Sequence, residues 1–125
     1  MEAQVTMKSA LSAAMKEILD SEMDSPRGIA TLALFALCFL DVLTTTLILS
    51  HGGFEMNRVM IPVATMPLLH ILLKGCVVAF IAGMAAVADR IISQSGMLML
   101  GVIIAWYAFV VTHNLMVLLQ FSMLP

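Results

Sequence analysis

The stretch Cys38-Phe39-Leu40-Asp41-Val42-Leu43-Thr44-Thr45-Thr46 sets one carboxylate and three hydroxyls in the middle of an otherwise apolar run. That run, residues 28–50, is as long as the roughly 20 residues a helix needs to cross a bilayer. A carboxylate at the centre of such a helix costs at least about 2.5 kcal/mol when it faces lipid, so Asp41 should face protein or water and requires a partner.

The rest of the composition agrees with a bilayer setting. The chain of 125 residues is 62% hydrophobic and only 11% charged, a balance far from that of soluble domains. Three blocks, about 28–50, 61–92 and 97–123, each reach spanning length. The sequence therefore predicts an all-α integral membrane protein, with three transmembrane helices preceded by an N-terminal amphipathic helix. Residues 1–24 form the interfacial segment in this reading and residues 25–125 the membrane domain. The N-terminus lacks the basic start, apolar core and small-residue cleavage site of a signal peptide, so the first apolar block is expected to act as the membrane signal.

In the N-terminal segment Met7, Leu11, Ala14, Met15, Ile18 and Leu19 repeat at helical spacing, with Lys8, Lys16, Glu17 and Asp20 elsewhere on the wheel. Such a helix lies on lipid or packs on a partner subunit, and its acidic residues weaken any attraction to anionic headgroups. Ser25-Pro26 provides an N-cap and a proline at the first helical position. His51-Gly52-Gly53 provides glycines able to take the left-handed conformation that ends a helix. Pro62 and Pro67 bracket the start of the second helix between residues 61 and 68. Asp89-Arg90 ends it, and Ser93-Gln94-Ser95-Gly96 reads as a turn. Gly75, Ala79 and Gly83 recur every fourth residue, a small-residue face that admits another helix closely.

Lys8, Lys16, Arg27 and Arg90 fall on one side of the membrane, against Arg58 on the other. The positive-inside rule then places the N-terminus in the cytoplasm and the C-terminus outside, with residues 51–60 as an outer loop. A rise of 1.5 Å per residue converts position into depth. Asp41 lies nine residues before Ser50 and His113 nine before Ser122, which puts both roughly 13 Å below the outer helix ends. Lys74 falls in the same layer, roughly 10 to 18 Å down. Thr44 and Thr45 share the face of Asp41, His70 stands one turn from Lys74, and Asn114 adjoins His113. Asp41, Thr44, Thr45, His70, Lys74, His113 and Asn114 are the expected buried polar cluster, with Lys74 the natural partner of Asp41.

A subunit or scaffold of a membrane assembly accounts for these features most simply, the Asp41–Lys74 pair fixing how two helices pack. A homo-oligomeric ion or proton conduit would instead use Asp41, His113 and His70 as titratable relays. Haem or pigment ligation by His70 and His113 is a third reading. A metal held by Asp41, His70, His113 and Glu55 has suitable ligand types, but the spacing matches no metal motif and Lys74 would repel a cation. No cofactor is expected on balance, and the twelve methionines form no M-x-x-M series and serve as flexible apolar filler.

Cys38 and Cys76 sit inside spanning segments, where apolar surroundings keep thiols unreactive, and no CxxC or zinc spacing occurs. A net charge of -2 without a basic stripe excludes nucleic acid as a partner and leaves the lipid bilayer and other membrane subunits. No GxSxG, HExxH or phosphate-binding glycine loop is present, which makes a non-enzyme the expectation.

Leu40-Asp41, Thr45, Gly53-x-Glu55-x-Asn57, Pro67 and Lys74 together resemble the pattern of a family of small bacterial and archaeal integral membrane proteins of unknown function. The resemblance covers residues 38–76, with Arg58 standing where the pattern has proline. It implies that Asp41, Lys74 and the loop residues Glu55 and Asn57 act together, and it implies no reaction.

Overall fold

The computed structural model describes residues 6, 8–10, 12, 13, 16, 25–55 and 57–123. Among the described residues from 25 on, four helices follow in chain order: α1 (Pro26–Ser50), α2 (Ile61–Ala64), α3 (Pro67–Ile91) and α4 (Ser95–Met123). α1, α3 and α4 are each long and apolar enough to cross a membrane. The described residues among 6–16 are helical and exposed. The apolar face expected there, Met7, Leu11, Ala14, Met15, Ile18 and Leu19, lies outside the described residues.

The ends of α1 follow from local chemistry. Ser25 caps its start, its Oγ accepting from the Gly28 N–H at 3.0 Å, and Pro26 occupies the first helical position, where a missing N–H is harmless. At the far end Gly52 adopts φ +85°, the left-handed region. The Gly53 N–H then returns to the Ile48 carbonyl at 2.9 Å and the Gly52 N–H to Leu49 at 3.1 Å, the paired bonds of a Schellman ending.

The second apolar block divides. Pro67 has no N–H to continue a helix from Val63, so the single turn of α2 stops at Ala64 and the spanning helix α3 starts afresh at Pro67. α2 packs across α1 and α3 at the Ser50 end of the molecule and buries Ala64.

The α3–α4 connection corrects one sequence expectation. Residues 93–96 read as a turn that includes Gly96, yet α4 already begins at Ser95. Gln94 takes the left-handed position, φ +67°, and Gly96 serves another purpose. It is buried inside α4 against Ala85, where an added Cβ would meet the Ala85 carbonyl oxygen and stand 2.8 Å from Asp89 Cγ. The glycine therefore lets two helix backbones touch.

α1 forms the centre, packing most extensively on α4 and also on α3. Leu34, Cys38, Val78, Ala85 and Leu100 make a narrow core, with Ala30, Ile81, Met99, Ile103, Ile104 and Tyr107 around it. Large side chains such as Phe80, Leu98 and Phe109 point outward. Lipid solvates such groups as well as a protein interior does, so apolar burial contributes little to holding the helices together and polar contacts and close packing carry more of the task. Where α1 and α4 approach their shared end, His51 and Phe121 stack with ring centroids 6.2 Å apart.

Candidate functional site

Midway along the spans, α1 presents Asp41, Thr44 and Thr45 on one face, since residues three and four apart line up on a helix. All three are buried. Lys74 reaches across from α3, its Nζ 2.8 Å from Asp41 Oδ2. From α4 the Asn114 side-chain amide donates to Asp41 Oδ1 at 3.2 Å and to Thr44 Oγ1 at 3.1 Å, with Thr45 Oγ1 at 3.5 Å. Thr44 donates in turn to the carbonyls of Leu40 and Asp41 at 2.9 and 3.1 Å. One carboxylate therefore ties together all three spanning helices.

Tyr107 completes the layer, and only its position two turns before Asn114 on the same face of α4 pointed to it beforehand. Its hydroxyl accepts from Lys74 Nζ at 3.2 Å, and the ammonium lies 4.7 Å from the ring centroid. A ring face attracts a cation, more so when water is excluded. Lys74 is thus neutralised by Asp41 on one side and held by Tyr107 on the other.

His113 is not part of this layer: it is exposed on the outside of α4. Rise per residue fixes level but not direction, and neighbours on a helix point about 100° apart. With Asn114 turned inward, His113 turns away. His70 is buried, with 2% of its surface exposed, and among the described residues its Nδ1 has no hydrogen-bond partner. The two histidines consequently do not face each other as axial ligands of a haem or pigment would. Among the described residues no three His, Cys, Asp or Glu side chains converge on a point that could hold a metal.

Residues 32–120 match the model of a domain of unknown function, DUF5658. The chain belongs to this family. The matched region contains Asp41, Lys74, Tyr107 and Asn114, so the whole mid-span layer lies within the DUF5658 domain. Neither the curated proteins nor the solved structures contain a match to the chain.

The loop residues of the DUF5658 chain are arranged locally. Glu55 Oε1 accepts the Asn57 N–H at 2.8 Å, and Asn57 Oδ1 accepts the Val59 N–H at 3.1 Å. They shape the turn into α2, whereas Asp41 and Lys74 pair inside the membrane region. The small-residue face of Gly75, Ala79 and Gly83 is left uncovered by the other helices, with Ala79 and Gly83 exposed and open space where a Cβ would stand on either glycine.

A second polar clamp closes the opposite end of the DUF5658 bundle, at the start of α1. Asp89 of α3 accepts the Gly96 N–H of α4 at 2.7 Å through Oδ1, and its Oδ2 lies 3.5 Å from Arg27 Nη1 of α1. A carboxylate there satisfies a free N–H of the first turn of α4 and complements the positive end of the helix dipole. From sequence, Asp89 marked only a helix end; its role depends on the chain reversing at Gln94.

Proposed function

We propose that this DUF5658 protein is a non-enzymatic membrane subunit or scaffold, in which the mid-span polar layer holds three helices in one fixed arrangement. The carrying observation is closure: both Asp41 oxygens and the Lys74 ammonium are engaged by groups of the same chain. A relay that passes ions needs groups open to a file of water. The indentation beside this pair, lined by Phe35, Cys38, Phe39, Val42, Ile71, Lys74 and Gly75, has about 10 Å³ of space, enough for one water at most.

The alternative, an ion or proton conduit, has the unpartnered Nδ1 of His70 in its favour. Flux in proteoliposomes decides between the two. The double replacement Asp41→Leu with Lys74→Met is expected to fold, assemble and leave ion movement at the wild-type level at every pH. A folded double variant that loses a pH-dependent flux seen in the wild type would establish the conduit instead.

The proposed orientation has a cytoplasmic N-terminus and an external C-terminus, from the distribution of Lys8, Lys16, Arg27 and Arg90 against Arg58. Reporter fusions at the two ends are expected to report opposite compartments, and the same compartment for both would contradict it. The uncovered Gly75–Ala79–Gly83 face is the proposed seat of a helix from another subunit. Ala79→Leu and Gly83→Leu fill that face and are expected to abolish the association; unchanged assembly in detergent would remove this interface.

A further inference from the structure

α4 packs on α1 and α3 along one side, burying Gly96, Leu100 and Val111, and leaves its other side uncovered. Val102, Trp106, Phe109, His113, Met116 and Gln120 run along its uncovered side at alternating spacings of four and three, and all six are exposed. That spacing averages about 3.6 residues, the period of the helix itself, so the six line one face of α4 along which a second helix can lie. Trp106 and Phe109 already pack on each other there, with ring centroids 6.1 Å apart.

Most of this stripe would be at ease in lipid, but His113 would not. An ionisable side chain at membrane depth ordinarily faces protein, and among the described residues nothing pairs with this one. Copies of one chain insert in the same orientation, so their α4 helices meet in parallel and every seam residue faces its own counterpart. A neutral imidazole carries one N–H donor and one bare nitrogen acceptor, so it is complementary to a second imidazole. A second copy of the chain therefore satisfies His113 with no other residue required.

We propose that the exposed face of α4 is a homodimer interface, a parallel helix pair along Val102, Trp106, Phe109, His113, Met116 and Gln120 whose register is fixed by a His113–His113 hydrogen bond across the two-fold axis. His113 is the polar position inside the apolar stretch of the seam from Val102 to Met116, with Gln120 nearer its end, and a polar group so placed sets register because any shift strands it without a partner. The inference deepens the subunit reading by naming the partner and the surface. It is independent of the Gly75–Ala79–Gly83 face, which lies on another helix and stays open in the dimer.

The test is cysteine cross-linking of the full chain in phosphatidylcholine vesicles, in a Cys76→Ser background so that buried Cys38 is the sole native thiol. Phe109→Cys and Met116→Cys are expected to give disulfide-linked dimers under mild oxidation, while Gly101→Cys and Leu115→Cys, exposed but off the seam, stay monomeric. Adding His113→Leu should lower the yield at Phe109 and Met116 roughly three- to fifteen-fold, the worth of one hydrogen bond between membrane helices. His113→Asn, which can also pair with itself, should restore it. Equal linkage at all four positions, none at Phe109 and Met116, or a yield indifferent to His113→Leu would overturn the proposal. So would an adduct whose mass differs from twice the chain. The flux and folding of the Asp41→Leu, Lys74→Met protein do not depend on this interface, so the two ideas can fail separately.

Discussion

Asp41→Leu alone, or Lys74→Met alone, is expected to destabilise the folded protein by about 3 to 5 kcal/mol, because each leaves the other charge buried without its counterion. The loss is expected to be larger for Asp41, which is bonded to both Lys74 and Asn114 and so joins α3 and α4 to α1. Lys74 retains the Tyr107 hydroxyl and ring when Asp41 is gone, but neither neutralises an ammonium. The double replacement removes both charges together and should recover most of the loss, since an apolar pair of similar volume is often no less stable than a buried ion pair. Unfolding in mixed micelles, with each single variant, the double variant and the wild type measured side by side, gives the coupling energy directly. Single variants as stable as the wild type would mean that the pair contributes nothing to holding the helices.

Gly96→Ala is the second large effect expected, and it is instructive because the change is one methyl group. The new Cβ would collide with the Ala85 carbonyl and press on Asp89. Backbone cannot rotate out of the way as a side chain can, so α3 and α4 must separate, at a cost of about 1 to 3 kcal/mol. Separation would also lengthen the Asp89 bond to the Gly96 N–H, a cap worth about 1 kcal/mol. Gly101→Ala is the matched control: it lies in the same helix with nothing within 4 Å of the added atom. There alanine should be neutral, or stabilising by up to about 1 kcal/mol through its higher helix propensity. Equal stabilities for the two variants in the same micelle assay would show that the α3–α4 contact is not close at Gly96.

Both predictions start from residues that look unremarkable on the page, an acid in an apolar run and a glycine after a turn. What the sequence alone determined was whatever depends on neighbours along the chain. Block length and composition established three membrane helices, Ser25-Pro26 and Gly52-Gly53 established the limits of α1, and the i, i+3, i+4 rule put Asp41, Thr44 and Thr45 on one face. Counting rise per residue also brought Lys74 to the level of Asp41, and the charge argument made them a pair. Rotation about the axes of α3 and α4 came from tertiary packing, because these two spans are apolar on nearly all sides and, unlike α1 with its Asp41–Thr44–Thr45 face, carry no clear polar stripe to orient them. That rotation turned Asn114 inward and His113 outward, brought Tyr107 over Lys74, and left Gly75, Ala79 and Gly83 uncovered. It also decided which glycine serves contact instead of turning: Gln94 reverses the chain, so that Gly96 can meet Ala85 and Asp89 can reach across to cap α4.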